Sequence, residues 1–286
     1  MQKPDVKNIA EHLRVLVRER NPWTAPEQLA DAGKYIRDQF LALNLRVREE
    51  PVPFNGISSL NILGFKEGLE PGSAPFVVAA HYDTVEGTPG ADDNASAVSA
   101  LLETARCLST LPLKNSLLFA AFTLEEYGWV GSRYFVEQAM KRKEPLLGMI
   151  SLEMVGFYSD QPGSQSYPPY VDPARYPDAG NFIAVVGNEP SARLTHAIAD
   201  SMNAARTGLA AEKLIVPGRG DRFREVTLSD HFPFWERDIP AVMVTDTAFL
   251  RNPHYHLPSD TLETLDLEFI HKVTGGICAF LQGYLQ

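Results

Sequence analysis

The sequence predicts an α/β fold: a single-domain three-layer α/β/α sandwich around a mixed, mostly parallel central sheet. Three observations carry that expectation. Short apolar runs alternate with segments of helical periodicity, the pattern of a sheet covered on both faces. No internal repeat or low-complexity linker divides the 286 residues, so 1–286 reads as one domain. The composition, 44% hydrophobic and 22% charged, is that of a chain able to bury a large core.

The elements follow in order. Val6, Ile9, Leu13, Leu16 and Val17 recur at helical spacing, so the chain opens on an amphipathic helix. A second helix is expected from Pro26, a favoured first-turn residue, to about Leu43. "LRVREEPVPF" and "SLNILGFKEG" read as extended segments in a hairpin-like pair, with "NG" between them. "APFVVAAH" is a continuous apolar run of the kind buried on both sheet faces. Asn94, Ala97, Leu101, Leu102, Ala105 and Leu108 mark a helix. "SLLFAAFTLEE" is a second buried strand, Gly131 to Lys141 a helix, and "LLGMISLEMVGF" a third buried strand. The Pro-, Ser-, Asp- and Tyr-rich stretch "SDQPGSQSYPPYVDPARYPDAGN" reads as a long loop, a feature often tied to function. Then come "FIAVVG", a helix near Ser191 to Arg206, "EKLIVP", a short helix around Ser229 to Arg237, and "PAVMVTD". A final helix runs from Leu265 to Tyr284, with Ile270, Val273, Ile277, Phe280, Leu281 and Tyr284 in its core stripe.

Charge and cysteine content narrow the function classes. A net charge of −10 argues against nucleic acid and anionic membranes as partners. No stretch approaches the roughly 20 apolar residues of a membrane span. Cys107 and Cys278 both fall in helical segments and read as buried thiols, too few for a disulfide framework. The opening "MQKPDVKNIAEHLRVLVRER" lacks the apolar centre and cleavage site of a signal peptide. A cytoplasmic location is therefore expected, or secretion if a leader is missing.

In such sheets function gathers beyond the carboxyl ends of the strands. The first buried run delivers His81, Tyr82 and Asp83, then Asp92 and Asp93; the second delivers Glu125 and Glu126. The third carries Glu153, and "NPHYHLPSD" after the last strand carries His254, His256 and Asp260. Each has a bland reading alone: a loop histidine, a solvated turn, a helix cap. Convergence at four strand ends does not. Imidazole plus carboxylate suits zinc or a similar divalent ion. Two ions sharing a carboxylate would use His81, Glu153 and Asp93 on one, and Asp93, Glu126 and His256 on the other. Glu125 would then act as general base, and Asp83 would accept a hydrogen bond from the second nitrogen of His81.

"AHYDTVEGTPGADDNASA", "FTLEEYGWVGSRYF", "SLEMVGF", "SDHFPF" and "YHLPSDT" together resemble, in order, the motifs of the zinc aminopeptidases of metallopeptidase family twenty-eight. Glutaminyl cyclases share that fold. The resemblance runs from about residue 60 to the end. It implies a zinc-exopeptidase-like fold, two zinc ions per chain, and His81, Asp93, Glu126, Glu153 and His256 as ligands with Asp93 bridging. It implies Glu125 as acid/base, Asp83 as orienting partner and a cis peptide between Asp93 and Asn94. Tyr255, just before the last histidine, is a candidate for stabilising the tetrahedral intermediate, or a packed loop aromatic. One departure stands out: Glu153 lies where the family usually has aspartate.

The remaining expectations are smaller. Asp230 and His231 line or brace the site, or else begin a helix; Asp260 braces the His256 loop or caps a turn. Arg219 and Arg222 sit in a solvated loop or edge the cleft, and Phe182 or Tyr170 touches substrate. His12, His196, His254 and His271 look like surface or helix-face residues. The resemblance implies an aminopeptidase acting on short peptides or other aminoacyl substrates, since 286 residues leave little room for the extra domain of related carboxypeptidases. The alternatives are glutaminyl cyclisation at one zinc and a non-catalytic binding relative. Side-chain preference and oligomeric state are not set by the sequence.

Overall fold

Eight strands form one sheet in the computed structural model, which describes residues 2–205 and 207–286. In chain order they are β1 (Arg46–Phe54), β2 (Ile57–Lys66), β3 (Phe76–His81), β4 (Leu117–Phe122), β5 (Gly148–Glu153), β6 (Phe182–Asn188), β7 (Ala210–Val216) and β8 (Ala241–Thr245). Their spatial order is β1-β2-β4-β3-β5-β8-β6-β7. The central strands β4, β3, β5 and β8 run parallel. β2 is antiparallel to β4, and β6 is antiparallel to β8, so the sheet is mixed as expected.

The helices are α1 (Val6–Leu16), α2 (Pro26–Ala42), α3 (Ala97–Leu108), α4 (Val130–Arg142), α5 (Ala192–Ala204), α6 (Phe232–Trp235) and α7 (Leu267–Tyr284). Successive strand residues point to opposite sheet faces, and the core divides accordingly. Phe76, Val78, Ala80 and Phe119 pack with Leu13, Phe40, Leu101, Ile198 and Ile277, from α1, α2, α3, α5 and α7. Val77, Ala79 and Phe122 pack instead with Phe135 of α4 and Phe234 and Trp235 of α6. Three layers result. Among the described residues, no helix is long and apolar enough to cross a membrane.

Local chemistry explains most boundaries. Asn55 and Gly56 both have positive φ, 45° and 84°, the two-residue turn that closes the β1–β2 hairpin with Phe54 opposite Ile57. α1 starts where the Asp5 side chain accepts from the Lys7 amide. α7 starts at Leu267, not Leu265, because Asp266 caps it through the Phe269 amide; Tyr284, expected in its core stripe, is half-exposed in the last turn with its ring against Phe280. The expected end of α5, Arg206, lies outside the described residues. Cys107 and Cys278 are buried free thiols, as expected.

Three elements depart from the periodicity. β4 stops at Phe122 instead of running through Glu126; Leu124 takes a left-handed φ of 58° and Glu125–Tyr127 forms a 3-10 turn. α3 begins at Ala97, because Ala91–Ser96 is a wide turn closed from the Ala95 amide to the Gly90 carbonyl. Asp93 and Asn94 have non-helical torsions there, and the peptide between them is cis. α6 is a single turn instead of the helix expected from Ser229 to Arg237.

Phe119, fully buried on β4 and tilted against Phe40 with ring centroids 6.3 Å apart, tests the larger core layer. Phe119→Ala is expected to lower unfolding free energy by about 3–5 kcal/mol, read from the urea midpoint.

Candidate metal centre

Parallel pairing brings the donors to one edge. His81 ends β3 opposite Phe122 of β4, and Glu153 ends β5 opposite Thr245 of β8. The β3–β5 register pairs Ala79 with Ser151, so His81 and Glu153, each two residues on, end level with one another. Asp93 comes from the wide turn before α3, Glu125 and Glu126 from the 3-10 turn after β4, and His256 from the loop after β8. Left-handed non-glycine residues flank these donors: Leu124, Trp129, Met154, Thr247, Ala248 and His256 itself. Such torsions are unfavourable and persist where the surrounding packing over-determines them.

Asp93 lies between two imidazoles. Its Oδ1 is 3.2 Å from His81 Nε2 and its Oδ2 is 3.1 Å from His256 Nε2. Glu153 Oε1 stands 3.4 Å from His81 Nε2, and Glu126 Oε2 3.3 Å from His256 Nε2. Two donor triads follow, His81–Asp93–Glu153 and Asp93–Glu126–His256, each with ligand atoms within 4.8 Å of one another. These are the two sets read from the sequence, with the same residue shared.

The triads fit divalent cations on independent grounds. Asp93 Oδ1, Glu126 Oε1 and His256 Nε2 are buried without a hydrogen-bond partner, a costly state unless another ligand satisfies them. Burial pushes Glu126 up to about 7 and raises Glu153 as well. For Asp93 burial acts the same way, but the close imidazoles of His256 and His81 outweigh it and hold the carboxyl below its ordinary range. Burial would lower both imidazoles, yet Glu153 and Glu125 raise His81, and Asp93 and Glu126 raise His256 to about 10. Cations would take over that charge compensation, and hard or borderline ions suit an all-oxygen-and-imidazole set.

A second ring of side chains holds the donors still. Asp260 accepts the backbone amides of Asp92 and Asp93, at 2.9 and 3.1 Å, bracing the shared carboxylate across 167 residues of sequence. Asn94 donates to the Leu152 carbonyl and accepts from the Met154 amide, tying that turn to the end of β5. The longer arm of Glu153 is anchored: its Oε2 accepts the Ser229 hydroxyl at 2.8 Å, and Ser229 pairs with Ser151. Asp83 departs from expectation. It stands 3.6 Å from His81 Nδ1, beyond hydrogen-bond reach, and accepts the Glu125 and Glu126 amides at 3.0 and 3.3 Å. Its carboxylate therefore positions the 3-10 turn.

Several participants were not singled out from the sequence. Arg20 is buried, and its guanidinium donates to the carbonyls of Leu16, Arg18, Tyr82, Pro89 and Gly90. Asp246, at the end of β8, pairs with Asp92, and Asn252 donates to Asp92 at 2.6 Å. Burial, with the facing Asp246 carboxylate adding to it, lifts Asp92 far above its ordinary range, and burial takes Asp246 to about 6. Strand-end position was the signal that could have found Asp246; Arg20 carried none.

Glu125 is buried beside the centre, its Oε2 4.0 Å from His81 Nε2. Burial raises its carboxyl, with Glu153 and Asp230 adding to the effect and His81 opposing it. Tyr255 stacks on His256 at 3.7 Å and meets Phe249 at 5.6 Å. Burial and the nearby carboxylates raise its phenol, so the hydroxyl stays a donor. Asp230 is buried with neither oxygen hydrogen-bonded, and burial takes it up to about 7. His231 is packed edge-on against Trp235 with Nε2 at the Val226 carbonyl, 2.8 Å away; burial lowers it to about 4.

Beside the centre opens an apolar cavity that shares Glu153, Leu228 and Tyr255 with it. Phe182, Val186, Leu214 and Met243 line the cavity; Tyr170 does not, packing instead on Phe223. Its loop wall is pinned by Arg251, which donates to Gln165 and to the Phe182 carbonyl, both at 2.8 Å. Arg219 pairs with Asp238 on the surface, and Arg222 is exposed, so neither edges the centre. His12 is buried against Tyr35 instead of exposed, while His254 and His271 are half-buried and His196 exposed, all away from the donor triads.

The profile of Peptidase family M28 matches residues 61–281. YfbL, an uncharacterized protein of Escherichia coli (strain K12), is 34% identical over 282 residues, which cover 94% of this chain and 85% of that protein. The LapA aminopeptidase of Legionella pneumophila superposes with a TM-score of 0.77 over 98% of this chain and 72% of its own; at 21% identity that likeness carries the fold. BSAP, a zinc aminopeptidase from Bacillus subtilis, is 26% identical with a TM-score of 0.62. There the alignment covers 82% of this chain and 52% of BSAP, so this chain spans about half of that enzyme.

Asp260→Ala would leave the Asp92 and Asp93 amides without their acceptor. We expect a loss of about 2–4 kcal/mol, from two buried unpaired groups, seen as a lower denaturant midpoint; an unchanged midpoint would remove Asp260 from the bracing role.

Proposed function

The chain belongs to peptidase family M28, and on that premise we propose that it is a metal-dependent aminopeptidase that removes N-terminal residues with bulky apolar side chains from short peptides. The observation that carries this reading is the division of the two Asp93 oxygens between His81 and His256, which makes one carboxylate common to two complete donor triads. His81, Asp93 and Glu153 would hold one ion, and Asp93, Glu126 and His256 the other. The similarity to a zinc aminopeptidase supports zinc. When bound, such paired cations acidify water and polarise a carbonyl oxygen.

The chain's own residues supply the rest. The apolar cavity beside Glu153 takes the first side chain and so sets the first peptide carbonyl near the shared Asp93. Glu125 takes the proton of the attacking water and returns it to the leaving amine as the carbon–nitrogen bond breaks. A carboxyl whose proton affinity burial has raised suits both halves of that transfer. The Tyr255 hydroxyl, kept protonated, donates to the carbonyl oxygen as negative charge develops there. Asp83 keeps Glu125 and Glu126 facing the site through their amides.

Both triads being complete favours two-ion hydrolysis over glutaminyl cyclisation at a single zinc, and the buried base beside them favours catalysis over mere binding. Equilibration with zinc is expected to load two equivalents per chain by elemental analysis, and Asp93→Asn to lose both. Chelation should abolish hydrolysis of leucinamide, and added zinc should restore it. Glu125→Gln should lower kcat about 10²–10⁴-fold with metal content intact; full activity in that variant would overturn the assignment of the base.

A further inference from the structure

An apolar cavity adjoins the metal centre at Glu153 and Tyr255, and an aromatic ledge begins one residue after Glu126. Trp23, in the turn after α1, is 46% exposed. Its ring meets Tyr127 edge-on at 4.6 Å and Phe54 at 6.0 Å, and Phe54 lies 6.1 Å from Tyr127. The three come from separate parts of the chain: the α1–α2 connection, the end of β1 and the 3-10 turn after β4. Half-exposed aromatic groups of this kind mark recognition surfaces more often than solvent-facing ornament.

The ledge is held rigid. Asn21, itself buried, donates from Nδ2 to the Tyr127 hydroxyl at 2.6 Å and to the Thr84 carbonyl at 3.1 Å. Its Oδ1 accepts the Trp23 and Thr24 amides at 2.9 and 3.2 Å. One side chain thus fixes the turn carrying Trp23 to both Tyr127 and the loop that leads to Asp93. Surface packing alone would not require such fixing, whereas a preformed binding surface gains from it.

Position gives the ledge its ligand. Tyr127 follows Glu126 in the chain, so it begins one residue from a donor of the second triad. The apolar cavity adjoins Glu153 of the first triad, across the shared Asp93. An extended peptide advances about 3.3 Å per residue. Glu126 and the exposed Gly128, on either side of Tyr127 in the chain, both line the space at the centre, so a peptide with its first carbonyl near Asp93 would continue toward Tyr127 and Trp23.

We propose that Trp23, Phe54 and Tyr127 form a subsite for an aromatic side chain carried by one of the two residues that follow the scissile bond. This rests on the peptidase reading above. The ledge contacts the departing part of the peptide and takes no part in bond breaking, so its effect falls on KM.

The test compares Leu-Gly-Gly, Leu-Phe-Gly and Leu-Gly-Phe on the zinc-loaded full chain. The wild type is expected to prefer one phenylalanine peptide over Leu-Gly-Gly by about five-fold in kcat/KM, mostly through KM. Trp23→Ala should reduce that ratio to within about two-fold, and Trp23→Phe should keep most of it. Phe54→Ala, with the same expected direction, covers the case in which Trp23→Ala does not fold. Equal rates on the three peptides in the wild type, or a preference that survives Trp23→Ala, would overturn the ledge. Leucinamide, with nothing beyond the scissile bond, reports separately on the peptidase reading. If leucinamide is not hydrolysed, the ledge is judged by Trp23 fluorescence: quenching by a phenylalanine peptide but not by Leu-Gly-Gly supports it, and equal response removes it.

Discussion

Buried carboxylates crowded around two imidazoles are the constraint on which the rest of this molecule depends. Asp93, Glu126 and Glu153 converge within a few ångströms, with Glu125 beside them, all largely removed from water. Such groups stay ionised only where opposite charge compensates them, and uncompensated burial of even one is costly. The protein accepts that cost at the sheet edge and balances it with positive ends of His81 and His256, backbone amides and a place for cations. Around the edge, fully buried apolar strands supply the stability that the acid cluster consumes.

The scaffold turns a sheet into a metal-binding edge through registration and turns. Parallel neighbours end side by side, so His81 and Glu153 meet without any special device. Glu126, Asp93 and His256 need more, because each must be aimed from outside a strand. A left-handed Leu124 ends β4 and swings the two glutamates inward; a wide turn does the same for Asp93. Asp83 and Asp260 then accept pairs of backbone amides, so two acids outside the triads determine where Glu125, Glu126 and Asp93 point. Glu153 shows how a longer side chain is accommodated: Ser229 takes its second oxygen and leaves the first toward His81.

Two apolar surfaces adjoin the residues of this centre. Greasy walls from β6, β7 and β8 close over Glu153, while the aromatic cluster stands beyond Glu126. Rigidity on both flanks comes from buried polar side chains, Arg251 under the cavity loop and Asn21 under the ledge, because each can satisfy several backbone groups at once.

By itself the sequence determined the alternation of strands and helices, the strand ends that carry His81, Asp93, Glu126, Glu153 and His256, and the partition of those five into two sets. It could do so because burial on both faces leaves continuous apolar runs, and because a parallel sheet sends every run's end to one edge. Turn conformation was decided only by tertiary structure: periodicity carried β4 through Glu126 and started α3 at Asn94, and both failed where backbone amides bond to distant acids instead of to local carbonyls. Distant partners were equally silent. Asp260 reaching Asp92 and Asp93, Arg20 gathering the Tyr82, Pro89 and Gly90 carbonyls, and Trp23 meeting Tyr127 all join segments whose proximity no local pattern encodes, since only the packed sheet and its helices bring them within a few ångströms.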